Sequence, residues 1–517
     1  MQNQSAREVL LVGNKEVDVL ALKEVRDLPE KRQKSRVKEI KTGAQFLQQL
    51  PRFPKHRKCQ DLPWAILFLL TVIALAVYVA YFLMSVSVNA DSSFQHSKTH
   101  DHLTPQDIKS DAMTANLSCI VGCVGGLLAA FLWVMMARAC PGPVVYISLY
   151  LVPALFVVGG VVMMYFGMQG SHMDLGLVIS GGVLILVGGL SFILYTCCWA
   201  KYIPFTIEVV EMVAEVSNEH PCMISISAIG GFLSAVWVVL CAIAWWSFAE
   251  KHNTDYKDQN KGVMGPVDFA FVLVLFWGSG VIHTVCHVAY AGVFSRWYFG
   301  EEEAPICKSL QAAVTTSFGS IAFGTFIVAA INAVQALIRS VRVALQEDGN
   351  IVGCILMMIL ECVVDCIGDL MEYFNEWAFV QCAIRGSSYC ESARITCALC
   401  ASNGIQAIIG DLLIDRVVSL GALFSGLVGM GLGAGLAMAR KQVDHSHISS
   451  EEVLTIGIVG GLLGGLLAGG GVMTIFSSGT KAILTCWAED PDRLHEEHEL
   501  DDMHTEFNDK VRGYEMS

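Results

Sequence analysis

Charged residues are scarce in this 517-residue sequence, and the motifs of common enzymes are missing from it. Asp, Glu, Lys and Arg make up 16% of the chain, whereas an average soluble domain has about 25%. There is no P-loop, no GxSxG nucleophile elbow, no HExxH pair and no nicotinamide-binding fingerprint. The shortage of charge excludes an ordinary soluble protein. Because the motifs are missing, we expect no enzyme, no ATP-driven pump within this chain and no cofactor.

The net charge of −14 is unevenly placed and does not indicate a nucleic-acid partner. Residues 1–63 carry 14 Lys and Arg against 8 Asp and Glu, whereas the tail from Ala488 carries 3 against 11. Such tails usually lie in water, and a basic tail can also touch anionic lipid head groups. We expect a basic tail over 1–63, a membrane domain over 64–487 and an acidic tail over 488–517. Binding of cytosolic partners by the tails is the alternative to simple solvation.

Hydrophobic residues, at 54% of the chain, occur in blocks of about the length needed to cross ~30 Å of hydrocarbon. This pattern predicts an all-α polytopic membrane protein with about ten membrane-spanning helices. An even number of helices leaves both tails on one side of the bilayer, and the basic run RFPKHRK before the first block predicts that this side is the cytoplasm. The blocks are 64–88, 114–138, 143–168, 173–199, 223–249, 266–293, 313–338, 351–373, 405–438 and 453–477.

The eighth block differs from the others because three acids interrupt it at helical spacing. Glu361, Asp365 and Asp369 fall on one face of a helix. The segment either spans the membrane with this face toward protein or water, or it lies at the interface as an amphipathic helix. We expect a spanning segment whose acidic face is solvated.

Glycine is abundant in the last two blocks, in the runs GLVGMGLGAG and GIVGGLLGGLLAGGG. Their small-xxx-small spacing lets helix backbones approach closely, which is a main source of packing in lipid. We expect packing rather than sliding of helices. The sequon at Asn116 lies almost inside the second block, and we expect it to be unused.

The sixth block carries the richest candidate for a binding site. At 100° per residue, several aromatic and histidine side chains share one face, and Trp297 continues this face beyond the block. Aromatic walls suit a quaternary ammonium ion, which has no N–H to donate and binds through cation–π attraction. Histidine can stay neutral beside a cation or titrate and couple to protons. The members of this face are Phe276, Gly280, His283, His287 and Tyr290, with Trp277 on its shoulder.

Other interpretations of the buried polar residues stay open. The aromatic rings of the sixth block could simply fill the core, and His283 with His287 could be an HxxxH metal pair, although we expect no metal. Asp411 in the ninth block could balance a cationic substrate, carry a proton, or pair with an arginine on another helix. Before the first block, Asp61 is a candidate N-cap of the first helix.

Five stretches in the same order resemble the choline transporter-like family of solute carriers. They are KCQDLPWAILF, LFWGSGVIHTVCHVAYAGVFSRWYF, FGSIAFGTFIVAAINAVQALIR, FNEWAFVQCAIRGSSYCESAR and the pair GDLLID and ILTCWAEDPD. Tyr298 is among the matching positions of the second stretch and is counted with the candidate site. The resemblance covers about residues 57–492.

The resemblance implies ten helices, cytoplasmic tails and uptake of choline or a related amine such as ethanolamine without ATP. It further implies a role in supplying phospholipid head groups, at the plasma membrane or in an organelle membrane. Cys286 and His287 replace a glutamine pair common in animal members of the family. The expected function is therefore a secondary carrier or facilitator for a small organic cation, and the alternative is a non-transporting scaffold that acts through its charged tails.

Overall fold

The computed structural model describes residues 52–54, 57–93, 105–169, 175–251, 263–300, 305–444 and 450–490. Within these ranges every regular element is a helix. A π-helical turn (Leu194–Cys198) and a 3₁₀ turn (Ala200–Tyr202) are the shortest of these helices. The α-helices are α1 (Leu62–Ser93), α2 (Pro105–Ala139), α3 (Pro141–Gln169), α4 (Leu175–Ile193), α5 (Ile203–Glu219), α6 (Cys222–Lys251), α7 (Pro266–Tyr298), α8 (Pro305–Val314), α9 (Phe318–Glu347), α10 (Ile351–Arg385), α11 (Tyr389–Asp444) and α12 (Ser450–Glu489).

Ten of the described helices are long and apolar enough to cross a membrane, which confirms the predicted all-α polytopic fold. The eighth of these is α10, whose sequence block was expected to end near residue 373 but which continues as a helix to Arg385. The two remaining helices, α5 and α8, are shorter, and α5 buries an apolar face that includes Val209 and Val213. The Asn116 side chain and the tails 1–51 and 491–517 lie outside the described residues.

The chain divides into two compact units. The first unit consists of α1, α6 from Ser225, α7 to Arg296, α8, α9, α10 and the start of α11 to Leu399. The second unit contains α2 to α5, the end of α7 from Trp297, the remainder of α11 and α12.

In the first unit, α1, α6 and α7 enclose an apolar core around Trp237. The Trp237 indole nitrogen donates to the Leu275 carbonyl at 3.2 Å, and the ring packs with Leu75 and Val79 of α1. Gly278 of α7 lies against this ring, where any side chain would collide with it. The large indole therefore fixes how closely α6 and α7 approach.

The glycine runs pack helices closely together in the second unit. Gly461 and Gly465 of α12 abut the backbones of α2 and α11, and a Cβ atom at Gly465 would lie 2.6 Å from the Ser425 carbonyl oxygen. A cavity of about 50 Å³ lies in this unit between α2, α5 and α12, with Arg138 and Asn218 in its otherwise largely apolar lining. It has room for a few water molecules and contains none of the predicted site residues.

Candidate functional site

Trp277 of α7 lies in an aromatic cluster that joins α1, α7 and α9. Its ring centroid is 5.2 Å from that of Phe68 and 5.1 Å from that of Phe326, both in edge-on geometry. The indole nitrogen donates to the Ala322 carbonyl at 2.9 Å. Trp277 is therefore a firmly held side chain whose orientation is set by two helices, and this packing role exists whether or not a ligand also meets the ring.

The predicted face of α7 is exposed at its start and buried toward its end. Phe276 and His283 are exposed, whereas His287 and Tyr290 are buried. The His287 Nε2 atom lies 2.9 Å from the Glu376 carbonyl oxygen of α10. The Tyr290 hydroxyl lies beside Cys286 and Ser227. The structure thus brings these four residues together as one continuous strip whose inner half is enclosed by α6 and α10.

Two carboxylates on α10, which sequence reasoning missed, lie along this strip. Because one antiparallel spanning helix, α9, separates α7 from α10 in the chain, α7 and α10 run in the same direction. The contact between His287 and Glu376 therefore sets the register and places His283 at the level of Glu372, one turn earlier on each helix. His283, Glu376 and Asp369 are ionisable residues close to the Glu372 carboxyl group.

The signal for these carboxylates was present in the sequence. Asp369, Glu372 and Glu376 recur at i, i+3 and i+7, which continues the acidic face of the eighth block past its expected end. The expectation that this face is solvated is wrong at its start. Glu361 is buried, and its two carboxylate oxygens accept from Arg339 at 2.8 Å and Arg342 at 2.7 Å on α9.

Trp297 and Tyr298 are grouped with the second unit rather than with the rest of the predicted face. Tyr298 is fully buried, and its hydroxyl donates to the Asp490 carbonyl at 2.9 Å. This bond ties the end of α7 to the end of α12. The role of Trp297 and Tyr298 in binding stays a prediction.

Asp411 is paired with a basic residue on another helix, as one of the sequence alternatives proposed. The partner is a lysine rather than an arginine: the Lys481 Nζ atom of α12 lies 3.7 Å from the Asp411 carboxylate, and both side chains are buried. Lys481 Nζ also donates to the Ser477 hydroxyl at 2.8 Å. Since an unpaired buried charge is costly, this contact gives Asp411 a structural role. A role in coupling stays a prediction.

We expected the Asp61 side chain to cap the first helix. It instead binds two other helices. Its Oδ2 atom accepts from the Ser320 hydroxyl of α9 at 2.8 Å and from the Tyr389 backbone N–H at the start of α11 at 2.9 Å. The carboxylate therefore lies at two helix N-termini, where negative charge is favoured. Tyr389 in turn donates to Asn375, which donates to the Gly324 carbonyl at 3.0 Å.

Arg57, four residues before Asp61, connects the same segment to α10. Its guanidinium donates to the carbonyls of Ala383 and Ile384 at the end of α10, at 2.8 and 3.1 Å. Burial, with a smaller contribution from the nearby charge of Arg296, lowers the pKa of Arg57 to about 10, so Arg57 stays protonated at neutral pH. The segment before α1 thus caps the end of one helix and the start of the next.

Metal-binding groups are not evident in the part of the chain that the structure describes. No cluster of three or more His, Cys, Asp or Glu side chains could hold an ion there. His283 is exposed, whereas His287 is hydrogen-bonded to a carbonyl oxygen, so the two imidazoles lie in different environments.

Comparison with known proteins shows the family of the chain. A family-wide sequence profile described as plasma-membrane choline transporter matches residues 183–492, more than half of the chain. The chain belongs to the choline transporter-like family. The matched region begins in α4 and includes the whole of α7 and α10, so both helices of the candidate site lie within it.

Several fungal and amoebal relatives share this similarity. Protein PNS1 of Gibberella zeae is 27% identical over 347 residues, which cover 65% of this chain and 63% of that protein. Protein pns1 of Aspergillus fumigatus is 28% identical over 335 residues, 62% of each chain. A CTL-like protein of Dictyostelium discoideum is 26% identical over 260 residues, 49% of this chain and 45% of that protein. The matches therefore span less than two thirds of these relatives, and none of their names states a substrate.

Proposed function

We propose that the protein carries choline or a related small organic cation, such as ethanolamine, across a membrane as a secondary carrier or facilitator, and thereby supplies phospholipid head groups. Family membership supports the class of activity. The observation that most favours a cationic substrate is the pair of carboxylates, Glu372 and Glu376, on a membrane-spanning helix beside His283 and His287 of another.

Electrostatics explains why this pair matters. A cation that leaves water loses hydration, and a nearby carboxylate offsets part of that loss. Among the described residues, Glu372 is exposed and forms no ion pair with an arginine, in contrast to Glu361. Its charge is therefore not offset by a neighbouring arginine and can offset the charge of a cationic substrate. We assign the counter-charge to Glu372 and the aromatic contacts to Phe276, Trp277 and Tyr290.

The proposal also includes the orientation and the membrane. The basic segment before α1 favours cytoplasmic tails, and the family description favours the plasma membrane. Labelling of single cysteines placed in each tail, from either side of sealed vesicles, tests the orientation.

Uptake into liposomes tests the function directly. Purified full-length protein in liposomes should take up radiolabelled choline above the level of protein-free liposomes, and unlabelled choline should compete for uptake. Uptake of ethanolamine in the same assay identifies the preferred substrate. A pH gradient across the membrane tests whether protons drive uptake. Equal uptake with and without protein would contradict the proposal and would favour the scaffold alternative.

The variant Glu372→Gln tests the proposed counter-charge. We expect it to raise the KM for choline about tenfold, the effect of one lost ion contact at a partly solvated site. Glu347→Gln, a substitution of an exposed glutamate at the end of α9, is the matched control and should leave uptake unchanged. An unchanged KM in Glu372→Gln would remove this residue from the site.

Proton coupling through His287 or Asp411 is a separate part of the proposal. If either residue takes part, His287→Gln or Asp411→Asn changes the pH dependence of uptake. If both variants keep the pH profile of the unsubstituted protein, neither residue couples transport to protons.

A further inference from the structure

The cavity of about 50 Å³ in the second unit contains none of the residues assigned to the substrate site. Its walls come from the last turns of α2 and α5, the first turn of α6 and part of α12. Buried apolar side chains, among them Val134, Met223 and Phe476, form its floor. Phe131 and Met135 on its α2 side are 42% and 50% exposed. The cavity is therefore a notch in the surface of this unit rather than a sealed void.

The notch lies at the level where the membrane-spanning segments meet water. The apolar span Leu117–Ala139 of α2 ends beside it, and the span Cys222–Ala249 of α6 begins beside it. Arg138 lines the notch at the end of the first of these spans. Met135 and Phe131 lie one and two turns deeper in the same span. The notch thus has a polar rim at the boundary and an apolar wall toward the membrane interior, and a phospholipid has its polar and apolar parts in the same order.

Arg138 supplies a positive charge that the described part of the chain does not neutralise. Its side chain is exposed and forms no ion pair or hydrogen bond with a described residue. A guanidinium group suits phosphate, because its planar N–H groups match two phosphate oxygens at once. Asn218 of α5 lines the same notch and is also exposed, and its amide can donate to a phosphate or ester oxygen. These two side chains therefore favour the phosphate of a membrane lipid.

Carboxylates at the rim indicate which phospholipid fits. Glu215 and Glu219 lie one turn apart on α5, are exposed, and directly follow the lining residues Ala214 and Asn218. Their charges oppose a second negative charge on the head group and attract an ammonium group. A zwitterionic head group, which joins a phosphate to an ammonium group, matches the charges of both signs. A net-negative head group matches Arg138 alone.

We propose that this notch binds one zwitterionic glycerophospholipid of the surrounding bilayer. Arg138 and Asn218 hold the phosphate, and Glu215 and Glu219 attract the ammonium group. The enclosed volume is that of a few water molecules, so it holds only the start of one acyl chain, which continues along the exposed wall of α2. This lipid site goes beyond the proposed transport of a small cation and does not depend on it.

Titration of the delipidated, purified full-length protein with single lipids tests the site, and native mass spectrometry counts the lipids bound. Dioleoylphosphatidylcholine should bind first in a saturable step of one lipid per chain. Dioleoylglycerol has the same chains without phosphate, and glycerophosphocholine has the head group without chains. Each should bind at least about fivefold more weakly, because each lacks one of the two contacts. Dioleoylphosphatidylglycerol should also bind more weakly, because its net negative charge lies near the two glutamates.

The variant Arg138→Gln removes the charge that holds the phosphate. It should weaken the binding of the first phosphatidylcholine about five- to tenfold, the effect of one ion contact at a membrane surface. Arg394→Gln is the matched control, because Arg394 is an exposed arginine of α11 that does not line the notch. This control should bind phosphatidylcholine as the unsubstituted protein does.

Thermal melting separates a loss of binding from a loss of folding. Without lipid, Arg138→Gln should melt like the unsubstituted protein, since the Arg138 guanidinium bonds to no described residue. Phosphatidylcholine should raise the melting temperature of the unsubstituted protein more than that of the variant. A lower melting temperature of the lipid-free variant would show that Arg138 serves the fold and would overturn the proposal. Equal affinity of the variant and the unsubstituted protein for phosphatidylcholine, or tighter binding of dioleoylglycerol or phosphatidylglycerol than of phosphatidylcholine, would overturn it as well.

Discussion

Replacing Asp61 tests whether the segment before the first helix ties the first unit together. One carboxylate oxygen accepts two hydrogen bonds, from Ser320 and from the Tyr389 N–H. A hydrogen bond to a charged group contributes about 1.5–3 kcal/mol, so Asp61→Ala should destabilise the protein by about 3–5 kcal/mol. Asp61→Asn keeps an acceptor oxygen and should cost about 1–2 kcal/mol. The backbone adds to this difference, because Asp61 has a φ of +49°, which Asn tolerates better than Ala.

The assay is thermal unfolding of the purified protein in detergent, followed by intrinsic tryptophan fluorescence. At about 2 °C per kcal/mol for a large domain, Asp61→Ala should melt about 6–10 °C lower and Asp61→Asn about 2–4 °C lower. Asp348→Ala, at an exposed aspartate after α9, is the control and should shift the melting temperature little. Ser320→Ala combined with Asp61→Ala should cost less than the sum of the single variants, because both remove the same bond. A melting temperature within about 1 °C of the unsubstituted protein for Asp61→Ala would refute this account.

Three further predictions follow from the site and the second unit. Trp277→Ala should abolish choline uptake while the protein still reaches the membrane, and normal uptake by this variant would remove Trp277 from the site. Lys481→Met removes the cationic partner of the buried Asp411 carboxylate and should destabilise the protein by about 3 kcal/mol. Adding Asp411→Asn should recover part of the loss, whereas additive losses in melting temperature would show that the pair does not interact. Gly465→Ala should lower the melting temperature because its Cβ meets the α11 backbone, whereas Gly470→Ala, where a Cβ meets nothing within 4 Å, should be tolerated.

The helices were predictable because lipid leaves few alternatives for an apolar stretch of twenty residues. The same constraint made the glycine runs interpretable, since close packing of α12 against α2 and α11 requires small residues at regular spacing. The end of the eighth helix was not predictable from hydropathy. Polar residues around Glu372 and Asn375 interrupt the apolar pattern there, although apolar residues resume at Trp377 and are buried in the fold, and Asn375 itself bonds to Gly324 of α9.

Pairs of polar residues were the least predictable part of the site. Sequence reasoning identified Asp411 and Glu361 as noteworthy but could not give their partners, because Lys481 and Arg342 come from helices whose faces are known only after packing. For Asp61 the local pattern of a helix N-cap was misleading, since partners more than 250 residues away compete for the same carboxylate. The aromatic cluster around Trp277 shows the same limit, because the sequence does not distinguish an aromatic residue that contacts a ligand from one that only packs.

Helix α10 explains how one segment can hold the fold and still present groups to a substrate. One side of it bears Glu361, fixed by two arginines, and Asn375, fixed to α9. Glu372 lies three turns further along the same acidic face, beside α7. A carrier must bind its substrate reversibly, so the groups that meet the substrate need to be satisfied only when it is present, while the helix that carries them stays anchored. Substitutions at Glu361 and Asn375 should therefore act on stability, and those at Glu372 on uptake; a helix that served packing alone would show no such separation.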